Sequence, residues 1–185
     1  MENYKICFII CGNNDFLCQE TLHYILNLYI PDKFELDYMI ISDVKNTFEA
    51  YNAGMKESDA KYKIYLNENV FITDKSFLVN VIDIFANNPD IGQIGAIGFR
   101  NNHKNEPENM ERIGHITVGG TETKIYNFNC NTEFALEEVV TMEPGIVVTA
   151  YDENWPEGKD VAAAMLERCE SLRNSGYKSV ALIKV

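Results

Sequence analysis

The feature that most constrains the fold is a regular alternation of apolar runs and amphipathic stretches over the first hundred residues. Residues 4–11 (YKICFIIC) form a continuous apolar run, which is typical of a strand buried on both faces. Further strands are predicted at 36–42, 62–66 and 91–99, and helices with one apolar face are predicted between them. This β-α-β-α-β-α-β order predicts an α/β domain whose sheet is parallel, with right-handed crossovers.

Polar residues mark the places where strands give way to helices. Asn13, Asn14 and Asp15 follow the first apolar run, and side chains of these types commonly cap helix N-termini. Asp74 occupies a similar position after the third strand. We therefore expect one helix to begin directly after Asn13–Asp15 and another to be capped by Asp74.

The second half of the chain has a weaker pattern. Residues 101–111 (NNHKNEPENME) carry almost no apolar side chains and predict a mobile surface loop. Gly119 and Gly120 are typical of a hairpin turn between two strands within 113–128. The remaining predicted elements are an extended run broken at Pro144-Gly145, a helix and a closing strand, at 139–151, 160–174 and 179–185.

Composition indicates one globular domain. The chain has 185 residues, of which 46% are hydrophobic and 24% charged. No apolar run approaches the ~20 residues of a membrane span, and the N-terminal MENYK lacks the features of a signal peptide. Five cysteines without a C-x-x-C pair indicate neither a zinc knuckle nor a disulfide framework. We expect a cytoplasmic protein.

The charge of the chain limits its partners. A formal net charge of −12 argues against nucleic acid and anionic membrane surfaces, since both attract basic patches. The same charge would repel a nucleotide diphosphate unless a divalent cation or a local basic cluster compensated it. Arg100, Lys104 and Arg112 lie close together in the sequence and could form such a cluster.

A polar triplet follows the third predicted strand. Asn67, Glu68 and Asn69 stand directly after the apolar segment 62–66. In an open α/β sheet, ligands bind in the crevice outside the carboxyl ends of the strands. The triplet therefore predicts a small-molecule site at this edge, although the same residues also suit a polar turn that binds nothing.

Two further strand-end residues have both a functional and a structural interpretation. Cys11 ends the first strand just before a helix N-terminus, where the helix dipole would lower the pKa of its thiol, but it also suits a small buried apolar position. Asp43 follows the second strand. Its carboxylate could accept the imide N–H of uracil, or it could cap a helix that begins near Asn46.

The motifs around the triplet resemble a known family. Tyr51-Asn52-Ala53-Gly54, followed by residues 60–66 (AKYKIYL) and 67–72 (NENVFI), resembles the nucleotide-sugar half of family 2 glycosyltransferases. The sequence looks most like their streptomycin-biosynthesis (StrF-like) branch. The resemblance implies a GT-A fold, a three-layer α/β sandwich with a mixed, mostly parallel sheet, in which 1–100 bind the nucleotide and 101–185 form the acceptor half.

The resemblance also implies a site for a nucleotide-sugar donor, with a uridine nucleotide as the expected donor. A few polar contacts of this kind orient a ligand while apolar walls bury it. The residues that it assigns to the donor are Cys11, Asn13, Asn14, Asp43, Asn52 and Asn67.

By position, the triplet matches the family's metal-binding motif, whose commonest form is Asp-x-Asp. The resemblance thus implies Mn²⁺ or Mg²⁺ at Asn69, with Glu68 adjacent. Asn69 replaces the usual carboxylate, and hard divalent cations prefer charged oxygen donors to a neutral amide. On an extended chain Glu68 would point to the opposite face and could not replace it.

A last motif concerns catalysis. Residues 151–158 (YDENWPEG) resemble the family's Trp-x-Glu-Asp segment, which implies Glu157 as general base, with Asp152 and Glu153 as alternatives. The same residues suit an ordinary turn before a helix at Asp160. The function implied is transfer of a sugar from a nucleotide diphosphate to an acceptor hydroxyl, with inversion. The alternative is a non-catalytic binding or interaction module that has lost the metal site.

Overall fold

The computed structural model describes residues 4–101, 110–119, 123–128, 135–138, 141–142, 146–150 and 178–183. In chain order the described elements are β1 (Lys5–Cys11), α1 (Asp15–Leu26), β2 (Glu35–Ile41), α2 (Thr47–Glu57), β3 (Tyr62–Asn67), α3 (Phe77–Asn87), β4 (Ile91–Gly95), β5 (Ile97–Asn101), β6 (Met110–Val118), β7 (Lys124–Phe128), β8 (Ala135–Glu138), β9 (Thr141–Met142), β10 (Ile146–Ala150) and β11 (Lys178–Ile183). Among these residues, no helix has the length and apolar character needed to cross a membrane.

Seven strands form the main sheet, in the order β2-β1-β3-β10-β4-β11-β8. The strands β1, β2 and β3 are parallel to one another, and β4 and β11 are also a parallel pair. Between β3 and β4 lies β10, which is antiparallel to both. The prediction of an α/β fold with a mixed, mostly parallel sheet is confirmed. The simple parallel order of the first four strands is wrong, because a strand from late in the chain separates the third strand from the fourth.

A second sheet has the order β7-β6-β5-β9. The predicted strand at 91–99 is in fact two strands, β4 and β5, which belong to different sheets. The chain bends between them at Ala96, whose backbone N–H donates to the Ile146 carbonyl at 3.2 Å. The predicted pairing of two strands within 113–128 is confirmed: β6 and β7 are antiparallel, with Val118 opposite Lys124. Gly120, in the predicted turn, lies outside the described residues.

Two local predictions need correction. The loop predicted at 101–111 is shorter, because Asn101 ends β5 and β6 begins at Met110; residues 102–109 lie outside the described part of the chain. Asp74 does not cap α3. That helix begins at Phe77, and Asp74 Oδ1 instead accepts from the Ser76 N–H at 3.0 Å in the preceding turn. The predicted helix at 160–174 also lies outside the described residues.

The core lies on both faces of the main sheet. On β1, Ile6, Phe8 and Ile10 face α1 and α3, and the alternate residues Cys7 and Ile9 face α2. This alternation follows from the twofold repeat of a strand, and burial on both faces explains why the run is apolar throughout. All five side chains are fully buried. With helices on both faces, this part of the chain forms three layers.

Helix α2 packs especially closely on the sheet. A Cβ on Gly54 would collide with Cγ2 of Ile9, so a glycine at this position lets the helix approach β1. The approach holds the first turns of α2 beside the carboxyl ends of β1 and β3. Helix α1, which follows β1 directly, brings its N-terminus to the same edge from the other face.

Candidate functional site

The carboxyl ends of β1, β2 and β3 meet at one edge of the main sheet. Cys11, the last residue of β1, is in register with Ile41 on one side and with Asn67 on the other. The pairing continues past the strands, since the Gly12 N–H donates to the Ile41 carbonyl at 3.2 Å and the Glu68 N–H donates to the Cys11 carbonyl at 3.0 Å. We call residues 11–14, 41–46 and 67–69 at this edge the strand-end site.

Glu68 connects the turns that follow β1 and β3. Its Oε2 accepts from the Asn14 N–H at 2.7 Å and lies 3.7 Å from the thiol sulfur of Cys18. The hydroxyl of Thr21 donates to the Glu68 carbonyl at 2.6 Å. The carboxylate thus lies at the N-terminus of α1, where backbone N–H groups and the helix dipole favour negative charge. A Cβ on Gly12 would collide with this carboxylate, so the close approach requires glycine.

The position of Glu68 corrects one premise of the sequence analysis. The chain is not extended after Asn67 but turns at Glu68 and Asn69, so the rule that neighbouring side chains point to opposite faces does not apply. Asn14 is the N-cap of α1, as predicted: its Oδ1 accepts from the Phe16 N–H at 3.1 Å and from the Leu17 N–H at 3.2 Å.

Asn13 fixes the turn after β2. Its Oδ1 accepts from the Asp43 N–H at 2.8 Å, and Asp43 has a φ of 57°, a left-handed conformation that aspartate adopts more readily than most residues. The N-cap of α2 is Asn46, whose Oδ1 accepts from the Glu49 N–H at 3.1 Å. The alternative that Asp43 caps this helix is therefore wrong. The exposed Asp43 lies beside β1 at the site.

Helix α2 contributes two side chains. The fully buried Tyr51 donates its hydroxyl to Asn67 Oδ1 at 3.0 Å, and burial raises the pKa of this tyrosine well above its usual value. The bond orients the Asn67 amide. The Oδ1 atom of Asn52, the next residue along, is buried and has no hydrogen-bond partner within the described residues. An acceptor of this kind is available to a ligand that brings a donor.

The Cys11 thiol does not have the predicted low pKa. Burial raises it above its usual value, a hydrogen bond with Thr47 opposes that rise, and the charge of Glu68 adds to it. The dipole prediction fails because the thiol is desolvated and because the nearest helix N-terminus already holds a carboxylate. A neutral thiol fits the alternative of a small, partly buried side chain.

The described residues fit a divalent cation poorly. They contain no group of three or more His, Cys, Asp or Glu side chains that could hold a metal ion. Asn69 is exposed in the turn after β3 and offers a neutral amide oxygen, while the Glu68 carboxylate is bonded to the α1 N-terminus. One neutral amide oxygen and a carboxylate directed elsewhere are a weak donor set for Mn²⁺ or Mg²⁺.

Two of the three residues of the predicted basic cluster, Arg100 and Arg112, have contacts of their own. A guanidinium nitrogen of Arg100 lies 2.8 Å from Glu111 Oε2, and the guanidinium of Arg112 stacks 3.9 Å from the ring centre of Phe128. Lys104 lies outside the described residues, as do the predicted catalytic residues Glu157 and Asp152 and their neighbour Glu153. The one Lys or Arg within the strand-end site as defined above is Lys45, which the sequence analysis did not select.

Other residues of the site were also missed. Thr21 is polar yet lies on the buried face of α1 with Cys18, Leu22 and Ile25, and this break in an apolar face is a signal that could have been used. Tyr51 is the first residue of the Tyr51-Asn52 motif, so the motif itself was a signal for it. By contrast, nothing local to Gly12 shows that a residue 56 positions later will approach it.

Comparison with known proteins identifies the family. The sequence matches the glycosyltransferase-like family over residues 7–183, which is nearly the whole chain. The chain belongs to the glycosyltransferase-like family. A search of curated proteins gave no match. None of these findings tests the resemblance to the StrF-like branch, which stays a prediction.

Three solved structures resemble this glycosyltransferase-like protein. A197 from STIV has 13% identity and a TM-score of 0.54, over 97% of this chain and 81% of that one. The mannosyltransferase PcManGT from Pyrobaculum calidifontis, in complex with GDP-Man and Mn²⁺, has 10% identity and a TM-score of 0.61. The match covers 100% of this chain and 57% of PcManGT. S. aureus TarS 1–349 has 12% identity and a TM-score of 0.56, and the match covers 96% of this chain and 58% of TarS 1–349.

These similarities establish the fold class of the glycosyltransferase-like chain as GT-A. At such low identities they show the fold alone. The chain spans little more than half the length of PcManGT and TarS 1–349, so neither supplies an activity for it directly.

Proposed function

We propose that this glycosyltransferase-like protein transfers a sugar from a nucleotide diphosphate to an acceptor hydroxyl, and that the donor binds at the strand-end site. The observation that carries the proposal is the convergence of three parallel strand ends, held together by the Glu68–Asn14 and Asn13–Asp43 hydrogen bonds. The crevice at such strand ends is the common ligand position in open α/β sheets. Membership of a glycosyltransferase-like family supports a nucleotide sugar as the ligand.

A uridine nucleotide suits the turn after β2. In this proposal the exposed carboxylate of Asp43 accepts the imide N–H of uracil, and Asn13 holds the Asp43 backbone in place. Lys45, two residues further on, lies in the same turn and compensates phosphate charge. PcManGT was solved with GDP-Man, a guanosine nucleotide. Competition between UDP and GDP therefore tests the base preference separately from donor binding.

The remaining donor contacts come from β1, α1, α2 and β3. Asn67 offers its amide nitrogen, because its oxygen accepts from Tyr51. The buried Asn52 oxygen accepts a ribose or base donor. Cys11 and Asn14 border the ligand, and the neutral thiol of Cys11 contributes shape and not charge.

The reaction we propose is a single displacement with inversion. A carboxylate removes the proton from the acceptor hydroxyl while the oxygen bonds to the anomeric carbon of the sugar. The bond from that carbon to the diphosphate oxygen breaks, and its electron pair leaves with the nucleotide. We assign the base to Glu157, with Asp152 and Glu153 as the alternatives, on the resemblance of 151–158 to the family's acceptor-side segment.

The base assignment is tested by comparing sugar transfer and slow donor hydrolysis in Glu157→Gln. We expect transfer to fall by about 100- to 10,000-fold with donor affinity intact, since proton abstraction is lost and binding is not. Glu57→Gln, at an exposed position in the last turn of α2, is the matched control and should retain transfer. Unchanged transfer in Glu157→Gln would move the assignment to Asp152 or Glu153.

The assigned metal residues, Asn69 and Glu68, are tested by restoring a carboxylate. Asn69→Asp supplies an anionic oxygen in an exposed turn, so Mn²⁺-dependent donor affinity should rise about tenfold, equivalent to roughly 1.4 kcal/mol. Asn69→Leu is the control that removes the oxygen without adding charge. If the donor affinity does not depend on Mn²⁺ and is equal in the parent, Asn69→Asp and Asn69→Leu, this turn does not contact a cation.

A second candidate function is a non-catalytic module that binds a nucleotide sugar. The observation in its favour is that the strand-end carboxylate, Glu68, is bonded to α1 while Asn69 stands where the family has an acid. The two candidates differ in one result. Saturable donor binding without transfer or hydrolysis, in the presence of Mn²⁺, supports the module and rejects the enzyme.

A further inference from the structure

A small pocket lies where the main sheet meets the second sheet, near the carboxyl end of β4. Its volume is about 120 Å³. The described side chains that line it are mostly apolar and come from α3, β4, β6, β10 and the bend between β4 and β5: Phe77, Ile94, Ala96, His115, Ile146 and Val148. The bend at Ala96 opens the pocket, because β4 leaves the main sheet there and β5 continues in the other.

The register of the sheet places the pocket at the same edge as the proposed donor. Ile146 of β10 is opposite Leu66, the residue before Asn67, and Gly95 at the carboxyl end of β4 is opposite Val147. Neighbouring strands are about 4.8 Å apart, so one or two strand spacings separate the pocket from β3. Ile94, Ile146 and Val148 belong to the core on the α1 and α3 face of the sheet, the face that also carries the Glu68–Asn14 contact. A group bound in the pocket would lie next to the sugar of a donor that extends from the strand ends over this face.

We propose that this pocket receives an apolar group of the acceptor, of the size of a phenyl ring or a branched four-carbon chain. The inference rests on the proposed function, which it deepens by naming the acceptor class. A cavity of about 150 Å³ lined by aliphatic and aromatic side chains holds benzene, so a pocket of this size accommodates one such group and little more. Apart from His115, the described side chains of the lining offer no polar group to a sugar or phosphate, so they favour an apolar occupant.

His115 would orient an acceptor whose apolar group occupies the pocket. It is half-buried on β6 and is the polar side chain of the described lining. An acceptor with its hydroxyl one or two bonds from the apolar group would bury the group among Ile94, Ile146 and Val148. The hydroxyl would then remain beside the imidazole and outside the pocket, facing the donor.

Benzyl alcohol is the probe that tests this, because it carries a phenyl ring one carbon from a hydroxyl. Its binding is followed by methyl NMR in the full chain saturated with UDP. We expect saturable shifts of the Ile94, Ile146 and Val148 methyl groups. Ala96→Leu fills the pocket and should weaken the affinity at least tenfold. Ala86→Leu makes the same change on an exposed position of α3 and should leave it unchanged.

With a donor that the protein uses, the ratio of benzyl glycoside to ethyl glycoside formed at equal alcohol concentrations should be about 10 to 100, because a filled apolar pocket discriminates by that order. The inference is overturned if no methyl shifts occur up to the solubility limit of the alcohol, or if the ratio of the two glycosides is near one. If UDP still binds in that case, the proposed function stands. Benzyl alcohol binding without any UDP binding rejects the proposed function and, with it, the acceptor role.

Discussion

The two ends of β1 carry short charged contacts that look alike but differ in what they do. At the carboxyl end, Glu68 Oε2 accepts from the Asn14 N–H at 2.7 Å, and Glu68 is half-buried. At the amino end, Lys5 Nζ lies 2.6 Å from Asp59 Oδ2, with the two side chains 45% and 77% exposed. The first contact joins the turns after β1 and β3 at the N-terminus of α1. The second contact is exposed to solvent.

The difference shows that distance alone does not rank these contacts. The Lys5–Asp59 hydrogen bond raises the pKa of Lys5 and lowers that of Asp59, but solvent screens an exposed pair and ordering two mobile side chains opposes it. Glu68 instead satisfies a backbone N–H that the helix cannot satisfy, and its own backbone is fixed by Cys11 and Thr21. Of these two contacts, the one that should contribute more to stability lies where we place the donor.

The largest effect should come from removing the Glu68 carboxylate. Glu68→Ala is expected to lower the free energy of unfolding by about 2 kcal/mol, since a charge-assisted hydrogen bond to the α1 N-terminus is lost. Urea unfolding measures this. Glu68→Gln is the matched control, because its amide oxygen can still accept from Asn14, and it should recover more than half of the loss. If Glu68→Ala unfolds at the parent midpoint, the contrast between the two ends of β1 is wrong.

Gly12→Ala should have a slightly smaller effect. The added Cβ would collide with both the Cβ and the carboxylate of Glu68, and we expect a loss of about 1 to 2 kcal/mol. Glu68→Gly removes both obstacles, so combining it with Gly12→Ala sharpens the test: most of the added cost should disappear in the double variant. Strictly additive losses in urea unfolding would show that Gly12 is needed for a reason other than Glu68.

The Tyr51–Asn67 bond should give a pH-dependent effect. Burial raises the pKa of Tyr51 above the usual tyrosine value of about 10. Above about pH 10 the unfolded chain therefore loses the proton first, and stability falls as the pH rises. Tyr51→Phe should cost about 1 kcal/mol at pH 8 and progressively less toward pH 11. Urea midpoints of both proteins across this range provide the measurement. A constant difference between them would contradict a buried, neutral phenol.

The smallest effect is expected at the amino end. Lys5→Ala removes an exposed contact, so its urea midpoint should lie closer to that of the parent than the midpoint of any variant above. Asp59→Ala is the matched partner and should behave the same way. A midpoint in Lys5→Ala as low as in Glu68→Ala would remove the distinction between the two ends.

The sequence predicted those parts of the fold that depend on local pattern. The buried strand β1, the Asn14 cap, the hairpin between β6 and β7 and the late strand β11 all follow from residues close together in the chain. The insertion of β10 between β3 and β4 could not be predicted in this way. It pairs Ile146 with Leu66, 80 positions away, and no local periodicity encodes such a partner.

The same limit applies to the site. Position at a strand end selected Cys11, Asn13, Asn14, Asp43 and Asn67, and the structure brings all five to one edge. Their connections were not predictable, because the Glu68–Asn14 bond spans 54 positions and the Asn13–Asp43 bond spans 30. The Cys11 pKa was wrongly predicted for this reason, since the effects of burial and of Glu68 depend on packing between distant segments.

The central claim is that the strand ends of β1, β2 and β3 bind a nucleotide diphosphate. Calorimetric titration of UDP in the presence of Mn²⁺ tests it most directly, with the parent, Glu68→Ala and Lys5→Ala compared at one temperature. We predict saturable binding with a Kd below about 1 mM for the parent and for Lys5→Ala, and at least tenfold weaker binding for Glu68→Ala. No heat of binding from the folded parent at millimolar UDP, with or without Mn²⁺, would contradict the claim.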